Sequence, residues 1–215
     1  DLAVTTPAQR IAALRDIAAT LRARKDEILK ENAADLNAAV TSGLSDAMQD
    51  RLRLNDKRIE LMATSIEQIA AQDEIVGRIE DEHTRPNGLK VARMRIPLGV
   101  IAIIYEARPN VTSDAAALCL KTANAVILKG GKEAFHTNVV IAHLIQDALG
   151  RSGLPRDAVM LVETTEREAV SILIKQNETI DLLIPRGGEN LIRFVSQNAT
   201  IPVIQHYKGV CHIFV

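Results

Sequence analysis

The chain has 215 residues, 47% apolar and 25% charged, with 26 basic side chains against 27 acidic ones, 2% aromatics and no Trp. So even a balance draws in neither nucleic acid nor an anionic membrane, and so few rings leave little surface for stacking bases. Cys119 and Cys211 are too few for a disulfide framework, no apolar run approaches the roughly 18–20 residues of a membrane span, and the first residues carry none of a signal peptide's regions. We therefore expect a cytoplasmic globular protein whose partners are small molecules or other subunits, with no nucleic acid and no membrane among them.

The length admits one main domain with attachments. Thr6-Pro7 predicts a helix start, with the hydroxyl as cap and Pro at the first helical position, where its missing N–H does no harm. Ile11, Leu14, Ala18, Leu21 and Ile28 follow a helical stripe, which predicts one long amphipathic helix to about Val40, broken near Asn32. Gly43 ends this region. Asn55 is placed to cap a second helix, in which Ile59, Met62, Ile66 and Ile69 recur at three- and four-residue steps. Residues 1–74 thus read as a helical segment packing on the C-terminal part of the chain. Over 75–97 the period changes, and the RPNG segment ending at Gly88 separates two extended, charge-rich runs, which is a hairpin signal. Such a ribbon builds no core of its own, so it either rests on a partner subunit or is washed by solvent.

From residue 98 to 215 apolar strands alternate with helical spacing. The strands fall at 99–104, 125–128, 158–162, 180–184 and 201–204, and the helices at 113–123, 137–149, 166–176 and 189–198. This alternation predicts an α/β fold, a Rossmann-like doubly wound parallel sheet with right-handed crossovers, carrying an N-terminal helical arm and a projecting β-hairpin. Ligands of such sheets bind at the carboxyl ends of the strands, so the turns 105–112, 129–136 and 185–189 are expected to converge.

Lys129, Gly130, Gly131 and Lys132 lie between a strand and a helix, where glycines let the backbone approach a phosphate and the helix start favours an anion. The turn matches neither the P-loop nor the GxGxxG fingerprint, so a plain glycine turn stays open beside phosphate binding. Arg186, Gly187 and Gly188 form a second such turn, and the pair makes a nucleotide more credible than either alone. The YEARPNVTSD turn gathers Glu106, Arg108, Asn110, Thr112 and Asp114. An Asn amide can donate to a developing oxyanion and an Arg can fork around an anion, although Thr112 or Ser113 capping a helix, with Asn110 shaping the turn, is the stronger reading on chemistry alone. Cys119 reads as a small core residue. Cys211 has His206 and His212 nearby in sequence but no third orienting group, and the His and Cys residues have no metal-ligand spacing, so no metal is expected.

The segments PLGVIAIIYEARPNVTSDAAALCLKTANAVILKGGKEA, DLLIPRGG and IPVIQHYKGVCHIFV, with the helical start, resemble the gamma-glutamyl phosphate reductases of the aldehyde dehydrogenase superfamily over essentially the whole chain. That resemblance implies NADPH-dependent reduction of L-glutamate 5-phosphate to glutamate 5-semialdehyde, through a thioester on a catalytic Cys, in proline biosynthesis. It gives Asn110 the role of oxyanion stabiliser, Lys129 a ribose contact and Arg108 a substrate anion. It makes Gly130, Gly131, Arg186, Gly187 and Gly188 cofactor-facing. Lys132 stands where many NAD-using relatives carry an acidic residue, so a cation there implies NADP. The resemblance also implies a homo-oligomer through the hairpin and a functional association with glutamate 5-kinase. The family's RPSTCN-like nucleophile segment does not occur before Val215. The catalytic Cys is accordingly expected further along, the chain is read as the cofactor-binding portion of a longer enzyme, and Cys211 as structural. A non-catalytic nucleotide-binding or assembly module is the alternative.

Overall fold

A computed structural model of the protein describes residues 2–205. Helix α1 spans Pro7–Ala23 and opens as expected: the Thr6 hydroxyl accepts from the Gln9 N–H at 3.3 Å while the Gln9 side chain accepts from the Thr6 N–H at 2.8 Å. The break falls at Arg24 rather than near Asn32, and α2 runs Lys25–Thr41 with Asn32 buried inside it. The Asn32 side chain is engaged in tertiary bonds, donating to the Leu52 carbonyl at 2.9 Å and accepting from the Leu54 N–H at 2.8 Å, so it joins segments instead of ending a helix. A short α3, Asp46–Leu52, was not legible from its spacing. Helix α4, Asp56–Ala71, is capped by Asn55, whose side chain accepts from the Arg58 N–H at 2.8 Å.

Strands β1 (Ile79–Thr84) and β2 (Lys90–Met94) pair antiparallel as the expected hairpin. Pro86 and Asn87 form its tip, and Gly88 closes it at a φ of 85°, a conformation that glycine adopts without a Cβ clash. Both strands are exposed along their length except at Glu80 and Val91, which are half-buried.

The alternating half comes next, with β3 (Val100–Tyr105), α5 (Pro109–Lys121), β4 (Ala125–Lys129), α6 (Phe135–Arg151), β5 (Val159–Leu161), α7 (Glu168–Leu173), β6 (Leu182–Arg186) and α8 (Glu189–Asn198). Four strands make a parallel sheet in the order β5-β4-β3-β6. The strand expected at 201–204 is reduced to a parallel bridge between Leu183 and Val203, since Pro202 has no N–H for a ladder. Side-chain alternation along β3 feeds two cores. Ile101, Ile103 and Tyr105 join Leu120, Leu128 and Ile141, together with Leu14, Ile17, Ile59 and Ile66 from the helical arm. Ala102 and Ile104 face the opposite way, against Leu173, Ile174, Leu183 and Val195. The arm thus forms one wall of the main core. Among the described residues, no helix is long and apolar enough to cross a membrane.

Candidate active site

From β3 the chain steps outward through β4 to β5, then returns to place β6 on the other side of β3. Strand order therefore reverses between β3 and β6, and a ligand crevice opens outside the carboxyl ends of such a pair. Glu106, Ala107 and Arg108 from the end of β3 and Arg186, Gly187 and Gly188 from the end of β6 indeed line one cavity of about 290 Å³, closed by Met48 and Arg51 of the arm. A larger cavity of about 510 Å³ lies beside it, lined by Arg108, Asn110 and Asp114 on one side and by α3, α4 and their connecting loop on the other.

Asn110 is not in a turn. Helix α5 begins at Pro109, four residues earlier than the spacing predicts, because Pro at the first helical position arrives with its φ already set. Asn110 sits in the opening turn of that helix, on the cavity wall, and its Nδ2 donates to Asp114 Oδ2 at 3.0 Å. Neither anticipated cap acts as one. The Ser113 hydroxyl donates back to the Asn110 carbonyl at 2.9 Å, and the buried Thr112 hydroxyl lies between the Tyr105 hydroxyl at 2.7 Å and Asn138 Oδ1 at 2.9 Å. Burial raises the Tyr105 phenol pKa well above its ordinary value, so it stays protonated.

The two glycine turns are shaped by close approach. A Cβ on Gly187 would lie 2.6 Å from Glu106 Cδ and 2.9 Å from Leu191 Cδ2, and one on Gly131 would lie 3.3 Å from the Ala107 backbone nitrogen. Both loops therefore present bare backbone beside the β3 end. The Gly188 N–H, at the start of α8, donates to Glu106 Oε2 at 2.8 Å, which shows that this helix end engages an anion. These features fit a phosphate-bearing nucleotide. Lys129 is buried, its ammonium donating to the Gly130 carbonyl at 3.0 Å, and burial lowers its pKa while the neighbouring Glu133 opposes the shift. Lys132 is exposed, with no hydrogen bond or ion pair from its side chain to the described residues.

The structure thus brings Arg108, Arg186, Gly187 and Gly188 together around one cavity and Arg108 with Asn110 around the other, while the loop of Lys129, Gly130, Gly131 and Lys132 abuts them without lining either. Sequence reasoning missed Arg51, Arg53 and Arg58, which complete the larger cavity. The alternation in Arg51-Leu52-Arg53-Leu54, with both leucines buried and both arginines exposed, is the signal for two of the three, Arg51 and Arg53. Cys119 is a core residue whose thiol pKa burial pushes up to about 12, too high for a nucleophile at neutral pH. Cys211, His206 and His212 lie outside the described residues. Among the described residues, no group of three or more His, Cys, Asp and Glu side chains is placed to hold a metal ion.

The model of the aldehyde dehydrogenase family matches residues 1–210. A gamma-glutamyl phosphate reductase from Desulfatibacillum aliphaticivorans is 55% identical over 202 residues, covering 94% of this chain and 48% of that protein. Among solved structures, the gamma-glutamyl phosphate reductase of Thermotoga maritima superposes with a TM-score of 0.92 at 40% identity, over 94% of this chain and 49% of the other. That of Saccharomyces cerevisiae does so with 0.88 at 34% identity, over 97% and 53%. The chain spans about half the length of the curated relatives it matches. With a crevice at the strand reversal, glycine loops around it and a family match running through nearly every residue, this chain belongs to the aldehyde dehydrogenase family.

Proposed function

We propose that this chain is the cofactor-binding portion of an NADPH-dependent reductase that converts L-glutamate 5-phosphate to L-glutamate 5-semialdehyde and phosphate. The observation that carries the proposal is the pair of adjoining cavities that share Arg51 and Arg108, one rimmed by glycine loops and the other holding Asn110. In the reaction a carbon–hydrogen bond forms at the acyl carbon, the acyl carbon–oxygen bond to phosphate breaks, and phosphate leaves. The nicotinamide cofactor, when bound, supplies the hydride. The residues of this chain position and stabilise. Asn110 donates to the oxygen that gains charge as the carbonyl is attacked, Arg108 holds a substrate anion, and the backbone at Gly187, Gly188, Gly130 and Gly131 receives the cofactor with Arg186 beside it. Lys129 closes the ribose end. The nucleophilic Cys is expected in the half of the relatives' length that this chain does not span. The proposal is tested by joining the chain to that half and following phosphate-dependent reduction of NADP by glutamate semialdehyde. Absence of turnover with phosphate, beside turnover of simple aldehydes, would refute the acyl-phosphate assignment. A carboxylate must be phosphorylated before it reaches such an enzyme, which is the basis for an association with glutamate 5-kinase.

Lys132 carries the cofactor preference. Its unengaged ammonium is suited to a 2′-phosphate, and a charge-assisted contact of this kind is worth about 1.5–3 kcal/mol. Lys132→Glu is therefore expected to weaken NADPH binding about 10- to 100-fold and to improve NADH, as read by nucleotide fluorescence titration. Wild-type protein that prefers NADH would show this reading of Lys132 to be wrong.

The hairpin is proposed as the oligomer contact. Ile79, Leu89, Met94 and Ile96 expose more than half of their surface on or beside it, at 54%, 59%, 59% and 75%. Met94→Glu combined with Ile96→Glu is expected to reduce the mass measured by light scattering to that of one chain. An unchanged oligomeric mass would place the contact elsewhere.

A further inference from the structure

The larger cavity is walled by Arg51, Arg53, Arg58 and Arg108 against two carboxylates, Asp50 and Asp114. Arg58 and Asp50 neutralise each other at 2.9 Å. The side chains of Arg51, Arg53 and Arg108 make no hydrogen bond or ion pair with the described residues. Cations in such excess select a multiply charged anion. Asp114 is the exception on that wall. Its Oδ2 accepts from Asn110, but its Oδ1 is buried with no hydrogen-bond partner among the described residues. The Ser65 hydroxyl is near the carboxyl group without completing a bond to that oxygen. A bare buried carboxylate oxygen costs about 1–3 kcal/mol or more. Burial accordingly raises the Asp114 pKa, against smaller opposing pulls from Asn110 and Ser65. A cation seated in the cavity beside this carboxyl group would offset that penalty.

We infer that Asp114 is the counter-charge for the α-ammonium of an amino-acid substrate, with the unengaged arginines around it receiving that substrate's anionic groups. This inference rests on the substrate reading above and adds to it the means by which an α-amino acid is told from a plain dicarboxylic derivative. Arg51 and Arg108 line both cavities and so stand at the reacting end, where the phosphate leaves; Arg53 lines the larger one alone and faces the amino-acid end. Asp114 lies one turn along α5 from Asn110, and the two side chains meet at 3.0 Å. One helix face therefore carries an oxyanion donor and a carboxylate side by side on the wall of the same cavity.

The test uses the 215-residue chain and two stable probes, L-2-amino-5-phosphonopentanoate and 5-phosphonopentanoate, which differ only in the amino group, with affinities read by isothermal titration. Wild-type chain is expected to bind the aminated probe at least about tenfold tighter, equivalent to about 1.4 kcal/mol. Asp114→Asn keeps an acceptor for Asn110 and removes only the charge, so it should erase that preference while binding the deaminated probe at least as well as wild type. Equal affinity of the wild-type chain for both probes, or a preference that survives in Asp114→Asn, would overturn the role of Asp114 and leave the cavity as an anion site. Failure of both probes to bind would overturn the substrate-pocket reading, and the role with it. The wild-type comparison holds whether or not the variant folds.

Discussion

Asn110→Ala is expected to lower kcat about 10²- to 10³-fold with little change in KM, when the chain is assayed together with the second half that its relatives carry. An oxyanion donor acts on charge that develops only in the transition state, so its loss leaves ground-state binding nearly intact and costs about 2.7–4 kcal/mol at the barrier. The geometry suits that task. Pro109 fixes the helix start one residue earlier, and Asp114 holds one N–H of the amide at 3.0 Å, which leaves the other for the cavity that Asn110 lines. Asn110 is exposed, so the substitution should cost little in stability, and a thermal melt separates the two effects. A kcat within threefold of wild type would remove Asn110 from the reaction.

Asp35→Ala is expected to destabilise the fold by about 3 kcal/mol, lowering Tm by roughly 6–12 °C for a domain of this size. The buried Asp35 carboxylate on α2 accepts from the His136 N–H at 3.2 Å, the Thr137 N–H at 2.8 Å and the Thr137 hydroxyl at 2.6 Å. It therefore caps the start of α6 from a different helix. Alanine would leave buried N–H groups without an acceptor, which costs more than the hydrogen bonds themselves are worth. Asn32 donates to the same Thr137 hydroxyl at 3.2 Å, so the damage should spread to the bonds that fix Leu52 and Leu54 beneath the arginine-rich cavity. A shift in Tm below about 2 °C would mean that water replaces the carboxylate without loss.

The strands around the crevice were legible because they are nearly uninterrupted apolar runs, as VIAIIY and AVILK show, and such runs are the mark of a sheet covered on both faces. The Asn55 cap, the Thr6 cap with Pro7 behind it and the hairpin tip at Gly88 were legible for a similar reason, each being decided by a few adjacent residues. What the sequence concealed depends on distant partners. Asn32 looked like a helix breaker because its partners lie 20, 22 and 105 residues away. Nothing near Asp35 in the sequence marks it out, since its partners are about a hundred residues on. The arginines of the larger cavity were hidden in the same way, because a cavity between an arm and a sheet exists only once the two have packed. Asn110 does line the larger cavity, but its setting in a helix rather than a turn came from Pro109, whose rigid φ outweighed the capping tendency of Thr112 and Ser113.

The bond from the Gly188 N–H to Glu106 alters how the crevice should be pictured. An N–H that already holds a carboxylate is no vacant socket, so a phosphate arriving at the start of α8 takes part in an exchange, one anion leaving as another enters. The free energy available there is the difference between two similar bonds, which is small. Selectivity for the incoming group must then come from what Glu106 cannot match: the larger charge of a phosphate, felt by Arg186 and Arg108 on the cavity wall. The tethered carboxylate meanwhile keeps the loop in shape between ligands, as a placeholder keeps a page.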